Sequence, residues 1–275
     1  MTNPSRGVDL DAYFARVGYR GSRHPTLETL AALQALHPAA IPFEAIDLLL
    51  GRPIDLSPPA VDAKLIGAAR GGYCFEQNGL FKRVLEALGF QVAGMMGRVY
   101  WMNPGLAGLP ARTHMALRVT IDGEPWLSDV GFGTRLPTAP LRFSDPAAQL
   151  TRHDSFRLRP SDEGHALEVL IDGNWVLVYD LSREPPADID YVVGNWFTSS
   201  HPNSRFRHNL MVARTADEAR YTLLGNHLTI RPPGEAPRRL DLDAAQVLDA
   251  LGTLFLLRPE PGWTPMIEWM VASAG

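Results

Sequence analysis

The sequence predicts a multidomain α+β chain. Its first third is helical, its middle is an antiparallel sheet or barrel, and its end mixes strands with a helix. Three observations carry this. Apolar residues recur at helical spacing as far as Leu88. From residue 91 the period changes to two. Two Asp-Gly pairs, at 122–123 and 172–173, separate alternating runs in the manner of hairpin turns.

Residues 8–17 and 26–37 read as helices. Thr26 supplies a start signal and His37-Pro38 a stop. Leu27, Leu30, Ala31 and Leu33 form one core-facing stripe. Ile41-Pro42 opens an extended link, and residues 62–69 form a short helix. Pro58-Pro59 and Pro232-Pro233 mark loops. A helix follows Cys74, with Leu80, Phe81, Val84, Leu85 and Leu88 on one face and Gly89 as its stop. Strands are expected from Val92 to Trp101 and over 114–121, 125–131, 155–159, 165–171 and 174–181. Residues 188–202 read as a connection between domains. Short strands at 209–214, 221–224 and 227–231 precede a helix at 241–256, with Leu242, Ala245, Leu248 and Leu251 on one face. The chain divides into residues 1–90, 91–200 and 201–275.

Composition sets the class. At 275 residues, with 45% hydrophobic and 20% charged, the chain is an ordinary globular protein able to bury a large core. A net charge of −4 offers no broad basic field for nucleic acid. No stretch is long enough to span a membrane, and Met1-Thr2-Asn3-Pro4 is not a signal sequence. A single cysteine forbids an internal disulfide and fits a reducing compartment, so a cytoplasmic location is expected. Oligomeric state is not legible.

That cysteine is the most informative residue. It stands in Arg70-Gly71-Gly72-Tyr73-Cys74-Phe75-Glu76-Gln77-Asn78, after two glycines and at a helix start. Unpaired N–H groups and the positive end of the helix dipole favour thiolate over thiol there. Glycine backbone lets a substrate approach the sulfur. The bland alternative is a small buried hydrophobe.

A base and an orienting acid decide between these readings. If Asp122-Gly123 is a two-residue turn, 121 faces 124, 116 faces 129 and 114 faces 131. His114 and Asp129 then share one face of the sheet as diagonal neighbours. A carboxylate there fixes the imidazole tautomer and supports an imidazolium. Separately, His114 could be a core histidine and Asp129 a turn residue; together with Cys74 they form a nucleophile, base and orienter. The spacing and order fit neither a papain-like protease nor a caspase. One cysteine and no close histidine pair give no zinc-ligand cluster, and no metal is expected.

These residues resemble the arylamine N-acetyltransferase family, in its bacterial form. The resemblance runs through 13–19, 41–44, 70–78, 112–117, 129–133 and 200–206, in the family's order. The segment around Cys74 is the most specific. Ala45 stands where the family often carries Asn. The resemblance implies a helical domain, a β-barrel domain and an α/β lid, with a Cys-His-Asp site of the transglutaminase-like type. It also implies acetyl transfer from acetyl-CoA through Cys74 to an arylamine or hydrazine, as in xenobiotic metabolism. Cys74 would be nucleophile, His114 base and Asp129 orienter, with Arg16, Glu44 and Arg70 as a supporting charged cluster. A related acyltransferase or macrolactam-forming amide synthase is the alternative.

Donor and acceptor contacts complete the expectation. Gly131, Phe132, Gly133 and Thr134 read by themselves as a strand-end turn; with the resemblance, they turn backbone N–H groups toward an anion. Thr113, Ser204 and Phe206 join them, and Ser204, Arg205, Arg207 and His208 form a basic stretch that is either a solvated face or a site for CoA phosphates. Phe43, Tyr100 and Phe132 are core residues by default and candidates to wall an aromatic acceptor pocket.

Overall fold

The computed structural model describes residues 7–103 and 108–273. Met1–Pro4, read above as no signal sequence, lies outside them. Helix α1 (Leu10–Val17) is capped by Asp9, which accepts from Ala12 N at 3.0 Å, and it ends on Gly18 at φ 74°. Thr26 caps α2 (Leu27–Ala40). This helix runs through Pro38, beyond the stop expected at His37. Near a helix end, proline costs only one late hydrogen bond. Leu30 and Leu33 are fully buried, whereas Leu27 is exposed at the helix start and drops out of the stripe.

The extended link carries β1 (Phe43–Glu44) and α3 (Ile46–Leu49). Pro58 opens α4 (Pro58–Asp62) instead of a loop, since the first helical positions need no N–H partner. A π-helical turn at Ala63–Gly67 follows, so the helix expected over 62–69 starts early and changes pitch. Cys74 is the first residue of α5 (Cys74–Ala87), and Glu76 Oε2 accepts from Tyr73 N at 3.0 Å. Leu80, Phe81, Val84 and Leu85 are wholly buried, each stabilising the fold by roughly 2 kcal/mol. Gly89 ends the helix at φ 89°.

The eight middle strands are β2 (Gln91–Val99), β3 (Arg112–Ile121), β4 (Glu124–Ser128), β5 (Leu141–Arg142), β6 (Gln149–Leu150), β7 (Ser155–Pro160), β8 (Gly164–Ile171) and β9 (Asn174–Ser182). They form one antiparallel sheet in the order β5-β4-β3-β2-β9-β8-β7-β6. The sheet nearly closes on itself. Gln149 in the last strand accepts from Arg142 N at 2.7 Å and donates to Arg142 O at 2.9 Å in the first. Both Asp-Gly pairs have positive φ at both residues, the twist that tight hairpins need. Ile121 therefore faces Glu124, and Leu117 faces Ser128, in the expected register.

Residues 188–202 are not a bare connection. Most of them form α6 (Asp188–Ser200), whose Gly194 packs so closely that a Cβ would stand 2.9 Å from Phe75. Ile189, Val192, Val193 and Trp196 stay exposed, which blurs the polar face that would have marked a helix.

A second sheet has the order β1-β10-β11-β12-β13, from β10 (Met211–Thr215), β11 (Arg220–Leu224), β12 (His227–Arg231) and β13 (Arg238–Asp241). Helices α7 (Ala244–Thr253) and α8 (Trp263–Ser273) cover it. The sequence reading foresaw neither β13 nor α8. Asp243 caps α7 and sets its phase, so Val247, Ala250 and Leu251 face the core while Ala245 is exposed. Among the described residues, no helix is long and apolar enough to cross a membrane.

Candidate active site

Cys74 sits where α5 meets β3. It is 7% exposed, and its Sγ lies 3.5 Å from the carbonyl of Thr113. The next residue, His114, turns its ring toward Asp129, which follows the last residue of β4. His114 Nε2 donates to Asp129 Oδ2 at 2.7 Å. Asp129 is wholly buried, so its charge needs partners. Its Oδ1 accepts from Asn78 Nδ2 at 2.9 Å and from Gly131 N at 2.8 Å. Its Oδ2 also accepts from the Tyr179 hydroxyl at 3.0 Å.

Burial alone would raise the Asp129 pKa. The charge of His114 and hydrogen bonds from His114, Asn78 and Gly131 outweigh it and hold the carboxyl below its usual range. Burial likewise works against a charged His114. The charge and hydrogen bond of Asp129, with the neighbouring Cys74 sulfur as a further partner, push His114 up to about 10. With Nε2 committed to Asp129, Nδ1 is the ring nitrogen left for Cys74. Tyr179 and Phe132 hold the ring from two sides, at centroid distances of 4.8 and 5.0 Å.

The three residues thus come together as the strand parity implied. Asn78 and Tyr179 were not singled out. Asn78 stood in the quoted segment, one helical turn beyond Cys74, which is the signal that could have found it.

Glycines beside Cys74 serve packing more than access. A Cβ on Gly71 would lie 2.2 Å from Pro42 O, and one on Gly72 2.8 Å from Glu76 Oε2. On Gly131 it would lie 2.8 Å from Cys74 Cα, so these glycines let three segments meet around the sulfur.

The expected charged cluster forms in part. Arg70 donates to Glu44 Oε1 from Nε at 3.0 Å and from Nη2 at 2.8 Å, and to Glu260 Oε1 at 2.5 Å. Asp47 lies 3.3 Å from its Nη2. Glu44 Oε2 accepts from Ile46 N. Arg16 stays apart from these carboxylates. It donates to the carbonyls of Leu65 and Ala69 and so braces the turn before Arg70. Lys64 was missed. It reaches Glu76 and Asp47, each at 2.8 Å. These partners do not shift as a simple ion pair would. Lys64 rises because several carboxylates outweigh its burial, yet Glu76 also rises, to about 7, because full burial outweighs its one cation.

A cavity of about 790 Å³ opens from Cys74 and His114 toward the second sheet. Phe43, Thr113, Gly131, Phe132, Thr134, Ser204, Arg205 and Phe206 line it. Gly133 does not; it lies behind, where its φ of 81° brings it against the Phe43 ring. Gly131 N–H is already bonded to Asp129 and cannot face an anion. Tyr100 is not a wall residue, but Trp101 is. Tyr100 N and Trp101 N both donate to Val178 O at 3.0 Å, a bulge that shifts which side chain points inward. Arg207 and His208 fold back onto the carbonyls of Ser200 and Pro202, outside the lining.

Of the expected basic stretch only Arg205 lines the cavity; the rest of the basic lining comes from Arg135, Arg220, Arg231 and Arg239. Arg220 and Arg231 face each other directly across β11 and β12, a like-charge pairing that costs stability by itself. Asp154 answers Arg135 and Arg220. Trp101 Nε1, Thr198 Oγ1 and Arg220 Nε are buried in this lining with no hydrogen-bond partner among the described residues. No group of three His, Cys, Asp or Glu side chains among the described residues is placed to hold a metal ion.

Comparisons with known proteins identify the family of the chain. A family model described as N-acetyltransferase matches residues 26–260. The arylamine N-acetyltransferase of Mycolicibacterium smegmatis is 44% identical over 251 residues, covering 90% of this chain and 91% of the relative. That of Escherichia coli is 40% identical over 234 residues, covering 85% and 83%. The solved Mycobacterium marinum arylamine N-acetyltransferase superposes with a TM-score of 0.90 at 41% identity, over 96% of this chain and 99% of that one. A second M. marinum structure, also with a TM-score of 0.90, is in complex with CoA. On these matches, this chain belongs to the arylamine N-acetyltransferase family.

Proposed function

We propose that the chain transfers an acetyl group from acetyl-CoA to the nitrogen of an arylamine or arylhydrazine, by way of acetyl-Cys74. The observation that carries this is the buried His114–Asp129 pair beside a cysteine that opens the cavity. Cys74 Sγ attacks the donor carbonyl as a thiolate, supported by the neighbouring imidazolium. His114 gives its proton to the departing thiolate of CoA. The acceptor nitrogen then attacks the Cys74 thioester, and His114 takes the proton that this nitrogen loses. Asp129 keeps the imidazole in the Nε2–H form throughout, and Asn78 and Tyr179 keep Asp129 in place.

The lining fits such a donor. Its buried donor atoms lack partners, and its five arginines exceed the carboxylate that answers two of them. In this reading Arg135, Arg220, Arg231 and Arg239 hold the phosphates, while Thr113, Thr134 and Ser204 border the chain leading to the thioester. Phe43, Phe132, Phe206 and Trp101 wall the acceptor. Arg70 and Glu44 brace the nucleophile segment, and Arg16 braces it from behind. We keep the division at 1–90, 91–200 and 201–275, with β1 lending an edge strand to the last part. A nucleophilic thiol needs a reducing compartment, which favours the cytoplasm.

The test is acetyl-CoA without acceptor, followed by intact mass. One acetyl group on Cys74, free CoA, and no label on Cys74→Ala are expected. A native protein that stays unmodified overturns the reading.

A further inference from the structure

Behind Cys74 lies a chain of three wholly buried polar side chains that the mechanism does not use. Tyr13 Oη stands 2.8 Å from His37 Nδ1. His37 Nε2 stands 2.6 Å from Gln77 Oε1. Gln77 Nε2 donates to Pro42 O at 2.8 Å and to Gly72 O at 3.1 Å, with Ile41 O at 3.3 Å. All three residues have 0% exposure.

Donor counting fixes the direction of this chain. Carbonyls can only accept, so the Gln77 amide must turn its NH2 to Pro42 and Gly72 and its oxygen to His37. His37 therefore carries its proton on Nε2. Its Nδ1 accepts, and Tyr13 donates. A charged His37 would turn Tyr13 into the acceptor and leave its buried hydroxyl proton without another partner among the described residues, and burial already pushes His37 down to about 4.

The clamp joins two segments of the site. Gly72 lies two residues before Cys74, and Pro42 precedes Phe43, which walls the cavity. Phe43 is held from two directions. β1 pairs it with Ala213 of the second sheet, and a bridge with Gly72 pairs it with the nucleophile segment. Helix α5 has its own anchor on the barrel through Asn78. Loosening Gln77 therefore leaves Cys74 beside His114 but frees Phe43 to follow the second sheet.

We infer that Gln77, oriented by His37 and Tyr13, is a positioning residue for the acceptor half of the reaction: it sets the place of Phe43 relative to Cys74. This rests on the acetyl-Cys74 reading above.

The experiment measures Cys74 acetylation by acetyl-CoA, then the KM and kcat of a two-ring arylamine and of a small hydrazine, for native protein, Gln77→Met and Tyr13→Phe. Gln77→Met should raise KM for the two-ring acceptor by about five-fold, the worth of one hydrogen bond. KM for the hydrazine and the acetylation rate should stay native. Tyr13→Phe, whose lost hydroxyl bonds to His37 and to neither segment, should shift the same ratio in the same direction by less. If Gln77→Met does not fold, Tyr13→Phe decides alone. An unchanged acceptor ratio, or an equal loss for both acceptors and for acetylation, overturns the inference. Failure of native protein to become acetylated strikes the underlying function instead.

Discussion

Asn78 Nδ2 donates to Asp129 Oδ1 at 2.9 Å, so the helix that begins at Cys74 is tied directly to the carboxylate beside His114. The same side chain donates to Met115 O at 2.8 Å and accepts from Val130 N at 3.1 Å. One amide thus locks nucleophile, base and orienter across three segments.

Asn78→Ala should lower stability by about 1–3 kcal/mol, because it leaves buried partners unsatisfied. Acetylation of Cys74 should slow by more than the loss of folded protein explains. Urea denaturation and single-turnover transfer check the two parts. A variant with native rate would show that the amide serves the fold alone.

Cys74→Ala should abolish transfer and keep the fold, since the smaller side chain leaves only a slight gap at a 7% exposed position. Cys74→Ser should be nearly as inactive, because a hydroxyl is a far weaker nucleophile at neutral pH. Rapid-quench assay of acetyl-arylamine decides it; substantial product from Cys74→Ala removes this mechanism.

The His114–Asp129 pair makes stability depend on pH in a defined direction. Folding raises the His114 pKa to about 10, from about 6.5 in an unfolded chain. The native state binds that proton more tightly. The contribution is complete below about pH 6.5 and is lost as pH rises through about 10. Asp129 is held low, so its share is present above about pH 4 and is lost only as pH falls through its lowered value. In Asp129→Asn, His114 loses the main reason to stay charged. The stability gap between native and variant should narrow between about pH 6.5 and 10. Equal gaps at both ends of that window would refute the assignment.

The chemical core was legible because its cues are local. A glycine pair before a cysteine marks a helix start, and Asp122-Gly123 alone sets the parity that brings His114 and Asp129 to one face. What stayed hidden depends on tertiary distance. Lys64 reaches Glu76 and Asp47 only because a π-helical turn aims it inward. The exchange of Tyr100 for Trp101 follows from two amides sharing the Val178 carbonyl, which no alternation pattern records. Arg16 looked like part of a charge cluster but spends its donors on backbone carbonyls. Apart from Arg205, the basic cavity lining escaped notice because its arginines lie on separate turns and strands from 135 to 239.

Glu76 offers a pH test with the opposite logic to a surface carboxylate. Burial raises it to about 7, so the native state holds a proton that the unfolded chain releases near 4.3. Its contribution is present at low pH and is lost as pH rises through about 7. Glu76→Gln keeps an acceptor oxygen for Tyr73 N, gives up the one that meets Lys64, and no longer titrates. Its stability relative to native should improve as pH rises from about 4.5 to 7, read from thermal midpoints in matched buffers. A difference that worsens with pH would mean that the ion pair with Lys64 dominates and that Glu76 is charged throughout.

The last prediction concerns the order of events at Cys74. One sulfur holds one acetyl group, and one imidazole serves both half-reactions through the same Nδ1. Donor and acceptor must then use the cysteine in turn, because neither the nucleophile nor the base is duplicated. Initial rates over a grid of acetyl-CoA and arylamine should give parallel double-reciprocal lines, the mark of a ping-pong sequence. CoA should appear in a burst matching the enzyme concentration before any acceptor is added. Asp129→Asn should shrink the burst rate and the steady-state rate together, since His114 acts in both halves. Intersecting lines, with CoA released only once arylamine is present, would instead assign direct transfer in a ternary complex and leave Cys74 without a covalent role.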